Sequence, residues 1–246
     1  MIKQVIFSLT AVLLFSCGPA EKEIKIVEKP KVDAKPVIEQ KPIEAPKIMT
    51  EATLDLTRYG IANSRNNVLG GLKVGDLAPD IELENEQGKL VSLDKKLETG
   101  PVLLVFYRAD WCSYCVKHLQ EFQDQIRDIW AAGRVKVMAV SPQKQEYSKK
   151  LDQEHMFAFP ILHDIHHQTM KDYKVFFHVT DKYNDYIKEA KGGSIEFWNG
   201  NQEPVMPVPA TYMIGQDKRI KYVHYDPDYK KRADIQEALK SIAVSG

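Results

Sequence analysis

The 246 residues carry 34 basic and 34 acidic side chains, a formal net charge of zero, and 43% of them are hydrophobic. That length allows one or two domains, and the apolar fraction is enough for a real core. The charge balance, with Lys182, Lys188 and Lys191 interleaved with Asp and Glu rather than gathered on a basic face, argues against a nucleic-acid partner.

At the N-terminus, Lys3 precedes an apolar run from Val5 to Phe15, which is followed by Ser16-Cys17. A basic start, a short apolar stretch and a small residue before a cut read as a signal peptide over residues 1–16. The run falls well short of the ~20 residues that a bilayer crossing needs. Leu14-Phe15-Ser16-Cys17 resembles the lipobox of bacterial lipoproteins. That resemblance implies lipidation of Cys17, cleavage in front of it, and attachment to the membrane through that lipid. The protein would then reside in the bacterial cell envelope, facing the periplasm. Gly18 is not the Asp that retains some lipoproteins at the inner membrane, which points to the outer one.

Residues 17–50 shift to Lys, Glu, Pro, Val and Ile, with prolines at 30, 36 and 42. Such a segment buries too little apolar surface to offset chain entropy, so it reads as a disordered linker carrying the lipid anchor. At ~3.1 Å per residue it would reach up to ~100 Å. Residues 51–71 are a mixed, polar lead-in, and one domain is expected over 72–246.

That domain opens on Val74-Gly75-Asp76-Leu77-Ala78-Pro79-Asp80. Ile81-Glu82-Leu83 and Leu90-Val91-Ser92-Leu93, joined through Asn85 to Gly88, predict a hairpin. The apolar run Val102 to Tyr107 predicts a strand, and Cys115, Leu119, Phe122, Ile126, Ile129 and Trp130 predict a helix to about Ala132. Val135 to Val140 is the next strand, which completes a β-α-β unit with parallel neighbours. Helical periodicity returns over 143–155 and near 167–173, and the signal weakens over 175–206. Ala210 to Ile214 and Arg219 to His224 predict a second hairpin, and a helix from about Pro227 to Ile242 closes the chain.

Trp111-Cys112-Ser113-Tyr114-Cys115 lies where the first parallel strand gives way to its helix. The partial positive charge and free N–H groups of a helix N-terminus stabilise the thiolate of Cys112. Cys115, three residues on, comes round to the same face. Such a pair can cycle between dithiol and disulfide. A loop of four residues staples almost nothing, so the pair is expected to be catalytic rather than structural. With Cys17 committed to lipid, these are the only thiols left. A zinc site would need four ligands and no second pair exists, and no cofactor is expected.

The order hairpin, β-α-β, helix, β-β-α, with C-x-x-C after the first parallel strand, looks like the thioredoxin fold over residues 72–242. It implies an α/β domain, a central mixed sheet flanked by helices, with an N-terminal β-hairpin extension. Val208-Pro209-Ala210-Thr211-Tyr212 resembles the segment of that fold whose proline is cis and faces the cysteines. Gly75 to Asp80 resembles the entry of the AhpC/TSA peroxiredoxins and of the membrane-tethered thioredoxins of the TlpA and ResA type. Tyr107 to Cys115, Val140-Ser141-Pro142-Gln143 and Asp226 to Arg232 look most like a peroxiredoxin-like branch of AhpC/TSA proteins.

That resemblance implies attack of Cys112 on a peroxide to give a sulfenic acid, condensation with Cys115, and reduction of the disulfide by an external dithiol such as a thioredoxin-like protein. Arg108, the nearest cation in sequence, and Arg232 are the candidates for lowering the thiol pKa or orienting peroxide, with Trp111 and Pro209 as supporting residues. The sequence departs from the pattern in one respect. Typical peroxiredoxins place a proline seven residues and a Thr or Ser three residues before the peroxidatic cysteine, and here those positions hold Val105 and Ala109. The same motif on a thioredoxin of the TlpA/ResA type would instead reduce protein disulfides. A third expectation, copper delivery, rests on His155, His163, His166, His167 and His178, although copper chaperones of this fold space their cysteines C-x-x-x-C.

Overall fold

The computed structural model describes residues 55–131 and 134–243. All of them fall within one structural unit, Glu51–Gly246. The expected signal peptide, Cys17 and the linker lie outside the described residues.

Strand β1 (Glu82–Glu84) pairs antiparallel with β2 (Leu90–Ser92) in the expected hairpin, Leu83 opposite Val91. Its turn is built by the Asn85 side chain, which accepts from the amides of Gln87 and Lys89, and by Gly88 at a φ of 75°. A short helix α1 (Leu93–Leu97) leads into β3 (Val102–Phe106). Helix α2 (Ser113–Ala131) then crosses to β4 (Lys136–Ser141), which pairs parallel with β3 with Val102 opposite Lys136. Helix α3 (Gln145–His155) returns the chain to β5 (Ile161–His163), parallel to β4.

After α4 (Gln168–Asp172), the stretch of weak signal resolves into an excursion. Strand β6 (Phe176–His178), helices α5 (Asp181–Lys191) and α6 (Ile195–Asn199), and β7 (Val205–Pro207) follow in order, with β6 antiparallel to β7. Phe176-Phe177-His178 and Val205-Met206-Pro207 show no alternation of apolar and polar residues, which is why sequence pattern passes over them. The chain then makes the expected hairpin of β8 (Ala210–Ile214) and β9 (Ile220–Tyr225). The sheet order is β5-β4-β3-β8-β9, with β8 antiparallel to β3.

The period of two along β3 shows why its run is uniformly apolar. Val102, Leu104 and Phe106 enter one core, with Met138 and Val140 of β4 and with Leu93, Met170, Ile187 and Ile195 from α1, α4, α5 and α6. Leu103, Val105 and Tyr107 enter the other, with Val137 and Ala139, with Leu119 and Phe122 of α2 and with Leu151 of α3. A strand covered on both faces has no polar side to show. The edge strand β5 is shielded by the first hairpin, because Glu86 Oε2 accepts from the Ile161 amide at 2.9 Å and Asn85 bridges to Leu162.

Two expectations are corrected. The last helix, α7 (Ile235–Ala243), begins eight residues later than Pro227, because Asp234 is the residue that caps it: its carboxylate accepts from the amides of Gln236 and Glu237. Residues 226–234 are left as an irregular strap. The second concerns Pro209. No peptide bond among the described residues is cis, so Val208-Pro209 is trans. The chain there is extended between β7 and β8, and the Val208 amide donates to the Val175 carbonyl at 2.7 Å, a geometry that trans proline continues without a turn.

Candidate active site

Phe106 pairs with Val140 on one side and Ala210 on the other, so the loop 107–111 leaves the sheet at the carboxyl end of its central strand. Cys112 directly precedes α2 and occupies its N-terminal cap. Its carbonyl accepts from the Cys115 and Val116 amides at 2.8 and 3.0 Å, and its sulfur accepts from the Cys115 amide at 3.3 Å. The Cys115 N–H is thus shared between the Cys112 carbonyl and the cap sulfur in the first turn of the helix. Cys112 and Cys115 are joined as a disulfide with a Cα–Cα distance of 5.2 Å, and both are buried.

Arg108 reaches this sulfur from the loop. It is only 4% exposed, yet it is a full cation. Its Nη2 donates to Cys112 Sγ at 3.0 Å and its Nη1 donates to the Tyr183 hydroxyl at 2.7 Å. The guanidinium lies over the Tyr229 ring, 3.7 Å from its centroid, with Trp111 at 5.6 Å. Burial pulls the Arg108 pKa down, and the facing tyrosines oppose that shift. The loop is fixed from β4 outward: Ser141 Oγ donates to the Arg108 carbonyl at 3.0 Å, and Gln143 Oε1 accepts from the Asp110 amide at 2.7 Å. Gln143 is itself held, donating to the Tyr107 hydroxyl and Ser148 Oγ, each at 3.0 Å. Asp110 has its carboxyl pKa raised by burial.

Arg232 comes from the strap and meets the other cysteine, its Nη2 3.5 Å from Cys115 Sγ. Burial, and then the repulsion of Arg108, bring its pKa down to about 10. Behind it His118 is buried, and burial followed by Arg232 pushes its pKa down to about 4. Tyr229 of the same strap packs edge-on against Tyr114, with centroids 5.7 Å apart. Each sulfur thus faces its own guanidinium, that of Arg108 buried and that of Arg232 partly so. A thiolate at either position, Cys112 above all, would be stabilised by that charge.

Pro209 directly precedes Ala210, the partner of Phe106, and so stands at the sheet end from which the cysteine loop leaves. Val105 and Ala109 are buried, and neither offers a hydroxyl. The histidines expected as a group are dispersed. His155 contacts Gln120, His163 lies by Glu84, His167 contacts Asn201, and His178 lies by Asn67 and Glu203. None of these contacts is with a cysteine, and among the described residues no three metal-ligating side chains converge. The site residues missed by sequence reasoning are Tyr183 and His118, and Tyr229 entered it only within the Asp226–Arg232 resemblance. Ser141 and Gln143 entered that reasoning only as part of a resemblance.

A dithiol centre capping the helix that follows the central strand of a mixed sheet defines a thiol–disulfide protein of the thioredoxin superfamily. Within that superfamily, the chain belongs to the AhpC/TSA family, whose sequence model matches residues 74–223. It is similar to the chloroplastic peroxiredoxin Q of Triticum aestivum, 27% identical over 63% of this chain and 72% of the relative. It is also similar to peroxiredoxin Bcp of Bacillus subtilis, 28% identical over 43% of this chain and 66% of the relative. The fold matches the crystal structure of the peroxidoxin BcpB of Mycobacterium tuberculosis with a TM-score of 0.54, at 22% identity over 70% of this chain and 97% of that one.

Proposed function

We propose that the protein is a thiol peroxidase working through a Cys112/Cys115 dithiol–disulfide cycle. The observation that carries this reading is the Arg108 guanidinium on Cys112 Sγ at a helix N-terminus, in a chain of the AhpC/TSA family whose relatives are peroxiredoxins. The Cys112 thiolate attacks one oxygen of a peroxide R–O–O–H. An S–O bond forms and the O–O bond breaks, giving the sulfenic acid and R–O⁻, which leaves as an alcohol or water after taking a proton. Cys115 attacks the sulfenic sulfur, expelling water and forming the disulfide. An external dithiol then reduces that disulfide and is itself oxidised. Arg108 stabilises the Cys112 thiolate and Arg232 that of Cys115, while Trp111 packs against Arg108. Pro209 orients the chain that enters β8. The basic, apolar and Ser16-Cys17 pattern of the N-terminus supports an anchor by lipid on Cys17 in the bacterial envelope, and Gly18 favours the outer membrane. Cys17→Ser is expected to move the protein out of the membrane fraction, and retention there would remove the lipid reading.

The reading predicts that the reduced protein loses two thiols per hydrogen peroxide or alkyl hydroperoxide consumed, at a rate well above that of a free thiol. Oxidation at the free-thiol rate, together with rapid reduction of a protein disulfide, would favour the disulfide-reductase chemistry of the TlpA/ResA type.

A further inference from the structure

In peroxiredoxins a Thr or Ser three residues before the peroxidatic cysteine offers a hydroxyl to the peroxide. Here Ala109 occupies that position and is buried. We infer that Tyr183 supplies this hydroxyl from another part of the chain, as a catalytic residue that donates a hydrogen bond, and then a proton, to the departing peroxide oxygen. The inference rests on the thiol-peroxidase reading of the same site.

Arg108 links the two groups. One terminal nitrogen of its guanidinium touches Cys112 Sγ at 3.0 Å and the other touches the Tyr183 hydroxyl at 2.7 Å. Because the guanidinium is rigid and planar, Tyr183 and the sulfur are held by the two terminal nitrogens of one fork. The direction of the second bond is also fixed. Arginine only donates, so the Tyr183 oxygen is the acceptor and its own O–H is free. Among the described residues that O–H has no acceptor. A peroxide held by Arg108 beside Cys112 therefore meets a donor.

The hydroxyl is placed by structure that does no other work at the site. Tyr183 stands in the first turn of α5, where its amide donates to the side chain of the cap residue Thr180 at 3.3 Å. Its ring lies against Gly60, which has a φ of 81°, and a Cβ at that glycine would come within 2.6 Å of Tyr183 Cγ. The lead-in and the helical excursion between β6 and β7 thus converge on one phenol.

As the Cys112 thiolate takes one oxygen as S–OH, the other leaves as R–O⁻. Tyr183 gives it a proton, leaving R–OH and a phenolate beside Arg108 that regains a proton from water. Hydroxide and alkoxide are much stronger bases than a phenolate, so the proton passes from the phenol to the leaving oxygen. Burial pushes the Tyr183 pKa up, and the Arg108 guanidinium acts against that shift.

Tyr183→Phe keeps the ring on Gly60 and removes only the hydroxyl. In the full chain it is expected to slow oxidation of Cys112 by hydrogen peroxide by about 10- to 100-fold, the range for one hydrogen bond to a charged oxygen. Alkylation of Cys112 by iodoacetamide, and the pH dependence of that alkylation, are expected to stay at wild-type values, because they report the thiolate and Arg108 rather than peroxide. A peroxide rate within threefold of wild type would overturn the inference. So would a parallel fall in alkylation, which would make Tyr183 a positioning residue for Arg108. A wild-type protein that oxidises no faster than a free thiol would instead remove the peroxidase reading itself, whatever the variant does.

Discussion

Cys112→Ser is expected to reduce peroxide consumption by at least about three orders of magnitude, as when a covalent nucleophile is deleted from other enzymes. Cys115→Ser is expected to consume one peroxide at an undiminished rate and then stop. The asymmetry follows from placement. Cys112 Sγ is at the helix cap, receiving the Cys115 amide at 3.3 Å and Arg108 Nη2 at 3.0 Å. Cys115 lies inside the first turn, and its described contact is with Arg232 at the longer distance of 3.5 Å. On the thiol-peroxidase reading, the first sulfur, with more donors aimed at it, is expected to make the attack and the second to close the cycle. Without a resolving thiol, Cys112 would remain as a sulfenic acid and would pass to the sulfinic acid under excess peroxide. Intact-mass spectrometry distinguishes the cases by counting added oxygens. If Cys112→Ser kept the fast reaction and Cys115→Ser lost it, the two roles would have to be exchanged.

Acid is expected to destabilise the fold between about pH 6.5 and pH 4, and His118 and His167 are the principal causes. Both are buried. Burial is the larger cause in each, followed by Arg232 for His118 and Lys171 for His167, and together these push both pKa values down to about 4. An unfolded histidine titrates near 6.5. As pH falls from there, the unfolded chain takes up protons that the folded chain refuses, so stability drops until the folded rings titrate at about 4. At about 1.4 kcal/mol per pKa unit, each ring contributes on the order of 3 kcal/mol across that window. Asp110 and Asp164 have carboxyl pKa values raised by burial, so the folded protein gains those protons first, and that offsets part of the loss. Urea denaturation at pH 7 and pH 4.5 measures the difference. His118→Gln is expected to flatten the profile, and an unchanged midpoint across that range in the parent protein would contradict it.

The centre of the fold is legible because it is strongly periodic. A five-residue strand buried on both faces and a helix of more than five turns leave a pattern that no other structure produces as readily. The dithiol and Arg108 are legible for a related reason: they are neighbours in sequence and sit where strand becomes helix. Tyr183 and Tyr229 are not. They arrive from segments far along the chain, one on α5, where Ile187 is the only buried residue, and one on a strap with no regular structure. Pro227 reads as a helix start, but the following aspartates form turns of their own. Asp228 accepts from the Lys230 amide, and Asp234 wins the cap. The cis reading of Pro209 came from resemblance and yields to the extended pairing around Val208.

In the disulfide state, Arg108 and Arg232 face neutral sulfur, and neither has a carboxylate within ion-pair distance among the described residues. Two electrons added to the sulfurs create the anion that these cations lack. Charge therefore favours the reduced form, and the couple is expected to lie at a more oxidising potential than it would without the two guanidinium groups. On the thiol-peroxidase reading, the oxidised protein is therefore expected to accept electrons readily from a dithiol of lower potential.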